Sequence, residues 1–189
     1  MTRYSQDEHT CMLDIVSHST AQTQRLARRL GELLCGGELL LLEGQLGTGK
    51  TTFTQGLAQG LHIDEVISSP TFTLLKEYAG QPLPPAETQP GQPRHGLSRG
   101  PALYHFDLYR LDEPGEILDL GFEEYFYGSG VCVVEWADKA DDLWPVEKLC
   151  IRMKVLNETK RSLLFRATGA RYCELLRQFQ KNTYASASS

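Results

Sequence analysis

Gly44-Gln45-Leu46-Gly47-Thr48-Gly49-Lys50-Thr51, followed by Thr52, decides how the rest of this chain is read. The spacing is G-x-x-x-x-G-K-[ST], the phosphate-binding P-loop. Its glycines let the backbone wrap tightly, so that several N–H groups can point at one anion. Lys50 is expected to reach the β- and γ-phosphates of a nucleotide, and the Thr51 hydroxyl to ligate Mg²⁺. Gly44, Gly47, Thr48, Gly49, Lys50, Thr51 and Thr52 are therefore the candidate nucleotide-binding residues.

The flanks supply the context the motif needs. Glu38-Leu39-Leu40-Leu41-Leu42-Glu43 has the length and apolar character of a buried strand. After the loop, Phe53, Leu57, Ala58 and Leu61 recur at helical spacing, with Gly60 near the expected helix end. A strand, a glycine loop and a helix N-terminus in that order place the partial positive charge of the helix on the anion. A glycine-rich turn that binds nothing would not require these flanks.

Outward from this centre, Met12 to Val16 reads as a first strand. Ser19 reads as an N-cap with Gln22 completing a capping box, and Leu26, Leu30, Leu33 and Leu34 form one apolar helical face that Gly36-Gly37 ends. Phe72 to Tyr78 and Ala102 to Tyr109 are rich in strand formers. Between them, Gly80 to Pro101 holds six of the nine prolines and four glycines. That composition predicts a flexible, exposed insertion, either a tolerated loop or, through Arg94, His95 and Arg99, a lid or partner-binding segment. Pro114 starts a helix through about Leu120, and Glu123 to Phe126 is a second short piece. Val131 to Glu135 is a buried-type strand, and Trp136 to Pro145 a loop with a helical turn. Lys148 to Leu156 and Arg161 to Thr168 form an antiparallel hairpin about Asn157-Glu158-Thr159-Lys160. Tyr172, Leu175, Leu176 and Phe179 mark a last amphipathic helix, and residues 182–189 read as a disordered tail. Strands alternating with helices around a P-loop define the expected fold class: α/β, a three-layer P-loop NTPase-like fold with a mixed sheet and a C-terminal β-hairpin, in one domain over 1–189.

Composition limits the partners. The net charge of −5 does not favour direct nucleic-acid binding through the global field. The five cysteines (Cys11, Cys35, Cys132, Cys150, Cys173) show no C-x-x-C pair or metal spacing, which reads as reduced thiols in a cytoplasmic protein without a structural metal. The N-terminus is polar and no apolar stretch approaches the length of a membrane span.

A Mg²⁺–nucleotide site needs a second anchor at the carboxyl end of a neighbouring strand, where ligands bind in open α/β sheets. Glu135, after four apolar residues, is the candidate; a strand-end surface acid is the plainer reading. Asp107 is the second acid. An acid in so apolar a run is expensive unless paired or near a cation. It is the candidate catalytic group beside Lys50, orienting water or supporting the metal, with an ion pair to Arg110 or a lysine as the alternative. On the strand, His105, Asp107 and Tyr109 are expected on one face; a lone strand histidine such as His105 is more often structural. Ser69, Pro70 and Thr71, in Ser68-Ser69-Pro70-Thr71-Phe72, have the character of a switch that orders around a γ-phosphate, although Ser-Pro is also ordinary turn chemistry.

Together these segments resemble the TsaE (YjeE) family of small bacterial P-loop ATPases. The matching pieces, in the family's order, are Gly44-x-Leu46-Gly47-x-Gly49-Lys50-Thr51-Thr52-Phe53, Ser69-Pro70-Thr71-Phe72-Thr73-Leu74, Tyr104-His105-Phe106-Asp107-Leu108-Tyr109-Arg110-Leu111 and Val134-Glu135-Trp136. The resemblance runs from about Ser19 to about Thr168. The resemblance implies ATP and Mg²⁺ as cofactors, with Lys50 and the loop amides on the phosphates, Thr51 and Glu135 on the metal, Thr71 in the switch and Asp107 needed for hydrolysis. It also makes Ser19 and Arg161 base- or ribose-side contacts, against the alternatives of a capping serine and a surface arginine. The implied function is an ATPase, weak alone, required for N6-threonylcarbamoyladenosine at position 37 of tRNA. The implied partner is the TsaD–TsaB heterodimer, with tRNA engaged only indirectly. The insertion at 80–101 departs from the family pattern.

Three other readings compete. A regulatory GTPase is suggested by Asp112-Glu113-Pro114-Gly115 and Asp138-Lys139-Ala140-Asp141, though Asp138 stands where guanine reading needs an asparagine amide. A small-molecule kinase would use Arg94 and Arg99 on its lid. A nucleotide-state regulator would signal by binding alone.

Overall fold

Four leucines in a row before a P-loop can be buried only if both faces of their strand are covered. In the computed structural model, which describes residues 10–81, 100–111, 116–117 and 121–185, they form β2 (Leu39–Glu43), buried along its whole length. Around it runs a seven-stranded mixed sheet. Its other strands are β1 (Thr10–Ser17), β3 (Leu75–Tyr78), β4 (Leu103–Asp107), β5 (Val131–Glu135), β6 (Lys148–Val155) and β7 (Arg161–Thr168), in the order β1-β7-β6-β2-β5-β4-β3. The centre, β6-β2-β5-β4, is parallel; β1 and β7 on one flank and β3 on the other are antiparallel to their neighbours. β6 and β7 are the expected hairpin, with Val155 opposite Arg161.

Helices α1 (Thr20–Gly31), α2 (Lys50–Gly60) and α4 (Ala170–Ala185) pack on one face, where Leu30, Phe53, Leu57 and Phe179 meet Leu40, Leu42, Ile151 and Phe165. The other face is covered by α3 (Glu123–Phe126) and a 3₁₀ segment, Ala137–Leu143, over Leu41, Val134 and Phe106. Each leucine of β2 thus enters one of two separate cores. No described helix is long and apolar enough to cross a membrane.

Some boundaries differ from the sequence expectations. α1 ends at Gly31, ahead of Leu33, Leu34 and Gly36. Gly60, read as a helix end, also lies in the α1–α2 contact: a Cβ there would meet Arg28 O at 2.2 Å, and one on Gly56 would meet Gln24 O at 2.4 Å. The two helices approach so closely that only hydrogen fits. Residues 72–74 form a turn instead of the start of β3, Tyr109 lies beyond the end of β4, and residues 182–185 continue α4 instead of joining a tail. Most of the 80–101 insertion, the Pro114 helix start, Asp112–Gly115 and the last four residues lie outside the described residues. At the insertion's base, Gly100 N donates to Gln81 O at 2.9 Å, so the chain leaves and returns at one point.

Candidate functional site

The loop after β2 turns on three glycines with positive φ: 143° at Gly44, 79° at Gly47 and 101° at Gly49. Gly44 is doubly constrained, because a Cβ there would also meet Met153 O at 2.5 Å. Gly49 is the N-cap of α2 and, among the described residues, no side chain caps that helix. Its first amides therefore face the loop, as an anion site at a helix N-terminus requires. Lys50 Nζ donates to Gly44 O at 2.6 Å and Gln45 O at 3.1 Å, and lies 3.7 Å from the centre of the Trp136 ring. Burial lowers the Lys50 pKa from the ordinary lysine range, while Glu135, Asp107 and Asp138 pull it back up.

The two acids sit side by side. Asp107 at the end of β4 is directly opposite Glu135 at the end of β5, and each is only 2% exposed. Glu135 is therefore not a surface acid. It accepts from Thr51 Oγ1 at 2.9 Å on one oxygen and 3.1 Å on the other, and Oε1 is also 2.8 Å from His105 Nε2. Asp107 forms no ion pair with Arg110, which instead stacks on Phe72 at 3.9 Å. Its Oδ2 accepts from Ser69 Oγ at 2.5 Å and Thr71 Oγ1 at 2.7 Å, and its Oδ1 from Tyr109 N at 2.9 Å. The turn after Pro70 closes through Leu74 N to Pro70 O at 2.7 Å. Lys50, Thr51, Glu135, Asp107, Ser69 and Thr71 thus converge at the carboxyl ends of adjacent parallel strands.

Arg161, opposite Ser17 in the sheet register, donates through Nη1 to Asn157 O and Lys160 O, and through Nη2 to Gly47 O at 3.5 Å. It links the hairpin turn to the P-loop. Ser19 is the N-cap of α1, its Oγ accepting from Gln22 N at 3.1 Å, while the side-chain Oε1 of Gln22 accepts from His18 N, one residue earlier than in a standard capping box. Thr48 is likewise turned inward, its Oγ1 donating to Gln45 O.

Two neighbours of the site were not singled out as site residues from the sequence. Trp136 has φ 62°, the left-handed region, which aims its ring at Lys50 and Tyr109. The only local signal was its place directly after Glu135. On the opposite side of the loop, Glu43 accepts from Cys150 Sγ and Arg152 Nε, both at 2.7 Å. Burial, with the Glu43 hydrogen bond, pushes the Cys150 thiol far up. A recess of about 480 Å³ opens between these groups, lined by Gly44, Leu46, Trp136 and Arg152 among others.

A central parallel strand, a glycine loop, a helix N-terminus carrying lysine and threonine, and an acid at the next strand's end define the P-loop class of α/β proteins. The chain belongs to the TsaE family: the family described as "Threonylcarbamoyl adenosine biosynthesis protein TsaE" matches residues 17–163. It is 41% identical over 158 residues to the tRNA threonylcarbamoyladenosine biosynthesis protein TsaE of Bacillus subtilis, covering 82% of this chain and 87% of that protein. With the Treponema pallidum protein of the same name it shares 38% over 148 residues, 78% of this chain and 96% of that one. The crystal structure of Bacillus subtilis YdiB superposes with a TM-score of 0.72 at 33% identity, covering 94% of this chain and 99% of that chain.

Proposed function

We propose that this chain is a Mg²⁺-dependent ATPase required for N6-threonylcarbamoyladenosine at position 37 of tRNA, acting in the cytoplasm on the TsaD–TsaB heterodimer. The observation that carries the reading is the contact of Thr51 Oγ1 with both oxygens of buried Glu135, next in sequence to Lys50 and beside Asp107. A hydroxyl and one carboxylate are a sparse donor set. Among the described residues, no group of three or more His, Cys, Asp and Glu side chains could hold a metal. Sparse protein ligation suits Mg²⁺, which keeps its waters and takes phosphate oxygens as ligands, and does not suit zinc. Thr51 and Glu135 would hold it. When bound, the ion would neutralise charge on the phosphoryl oxygens.

The chain's own groups do the rest. Lys50 would exchange its two loop carbonyls for phosphate oxygens, which are stronger acceptors for an ammonium. The open amides of α2 would hold the same phosphates. Asp107, released from Ser69 and Thr71, would orient the attacking water. Arg161 from the hairpin and Ser19 from the start of α1 would flank the base or ribose. Because Asp107 is occupied by the switch hydroxyls, the free chain would turn over slowly, and partner binding would move the turn.

The GTPase alternative loses support here. Lys139, the lysine of that pattern, donates to Leu111 O at 2.9 Å and to Tyr109 O, tying down the chain after β4. The test is an ATPase assay with Mg²⁺, using the chain alone and with TsaD–TsaB and tRNA. Stimulation only in the full mixture is expected; equal rates in both, or a strong preference for GTP, would overturn the proposal.

A further inference from the structure

We infer that His105 is a positioning residue for Glu135, holding one carboxylate oxygen so that the other remains available beside Thr51. This rests on the Mg²⁺–nucleotide reading above. His105 is fully buried in the middle of β4, opposite Val133. Its neighbours on that face, Leu103, Val131 and Val133, belong to the apolar core beneath α2. A histidine kept there only to fill space would be inferior to leucine, because a buried ring nitrogen without a partner is costly.

That cost is present. Among the described residues nothing partners Nδ1, whereas Nε2 lies 2.8 Å from Glu135 Oε1. A carboxylate only accepts, so Nε2 carries the proton shared with Glu135. The single polar function of this side chain is thus the bond to Glu135. That bond loads the carboxylate unequally. Oε1 takes both His105 and the shorter Thr51 contact, while Oε2 has only Thr51 at 3.1 Å. Oε2 is the oxygen with acceptor capacity to spare. Partners of this kind orient metal-facing groups, and their loss commonly weakens metal affinity by about 10- to 100-fold.

The experiment measures equilibrium binding of ATP to the full chain as Mg²⁺ is varied, for wild type, His105→Leu and His105→Gln, with thermal melting of each. In His105→Leu the Mg²⁺ concentration for half-maximal enhancement should rise about tenfold or more, with metal-free ATP affinity unchanged. His105→Gln, which keeps a donor, should recover most of the loss. An unchanged midpoint in His105→Leu, or equal loss of metal-free and metal-dependent binding, would overturn the positioning role alone. A wild-type chain with no Mg²⁺ enhancement would overturn the site reading and this role with it. Should His105→Leu fail to fold, ¹⁵N-histidine spectra of wild type decide the matter. The resonance lost in His105→Gln should show a slowly exchanging proton on Nε2, and a proton on Nδ1 alone would refute the inference.

Discussion

The P-loop cradle and the switch turn meet at neighbouring strand ends, one at Glu135 and the other at Asp107, but they are held by different means. The cradle is part of the core. β2 and β5 are buried throughout, α2 is pressed against α1 through Gly56 and Gly60, and Thr51 and His105 reach Glu135 from a helix and a strand. The switch turn is hung on side chains. Ser69 and Thr71 grip one oxygen of Asp107, and Phe72 next to them is 80% exposed, with Arg110 over its ring. Local stability follows buried apolar contact. The cradle is therefore the stiffer region, which on the proposed reading would receive the phosphate, and the turn is the part that binding would rearrange at small cost.

The largest effect should fall on turnover at the switch side. Asp107→Ala removes the group that would orient water, a role usually worth about 10²- to 10⁴-fold, while ATP affinity stays within a few-fold because the cradle is untouched. Parallel turnover with the TsaD–TsaB pair and direct ATP titration check this. Equal losses in both would make Asp107 a structural acid and erase the contrast between the regions.

Next is the cradle's own charge. Lys50→Ala should weaken Mg–ATP binding by about 10- to 100-fold, the scale of charge-assisted hydrogen bonds lost. The pH dependence follows from the lowered pKa. Phosphate favours the protonated amine, so affinity should be level below the free-state pKa and decline above it, and that decline should begin below the ordinary lysine range. Calorimetric titration across pH reads it, and an affinity that stays flat into the ordinary lysine range would show that Lys50 does not carry the phosphate.

How much of this was legible in the sequence follows the same division. The cradle is local: four leucines, a fixed glycine spacing and a helical repeat are contiguous, so strand, loop and helix could be placed from residues 38–61 alone. Glu135 and Asp107 were visible as acids in apolar strands. Thr51 was expected beside Glu135, but His105 on Glu135 and the two hydroxyls of Ser69 and Thr71 on Asp107 were not, because those pairings depend on sheet order, which sets β5 beside β2 and β4 beside β5 through long connections. Phe72 to Tyr78 has the composition of a strand, yet its first residues turn, since Ser69 and Thr71 find a better acceptor in Asp107 than in a ladder. Trp136 reads as an ordinary loop start; its left-handed backbone is set by Lys50 and Tyr109 packing on the ring. Gly60 ends α2 as its position predicts, but nothing local reveals that α1 lies against it. The polar end of α4 was read as tail because polarity there reflects a solvent-facing last turn, with Arg29 still donating to Thr183 O at 3.3 Å.

A third test asks whether the cradle's rigidity depends on helix contact. Gly56→Ala places a methyl against Gln24 O and the Ala27 side chain. Overpacking of this kind costs about 1–3 kcal/mol, offset by at most about 1 kcal/mol of helix propensity. A lower denaturation midpoint at unchanged m-value is expected. No loss of stability would mean that α1 and α2 can part without strain, and the cradle would be no stiffer than the turn.

The smallest effect should come from Thr71→Val, and its direction matters more than its size. The hydroxyl donates one of two bonds to Asp107 Oδ2, and Ser69 retains the other. Loss of one such bond is worth about 0.5–1.5 kcal/mol, and here it falls on a turn outside the core. Melting should therefore shift little. If the hydroxyl latches Asp107 in the resting arrangement, removing it should raise the basal ATPase rate of the free chain while reducing stimulation by TsaD–TsaB, since less of the switch is left for the partner to move. If Thr71 instead contacts phosphate during turnover, both rates should fall together. The ratio of stimulated to basal rate distinguishes the two: a lower ratio with a higher basal rate supports a latch, and an unchanged ratio with lower rates makes the turn a second wall of the phosphate site, as fixed in purpose as the P-loop.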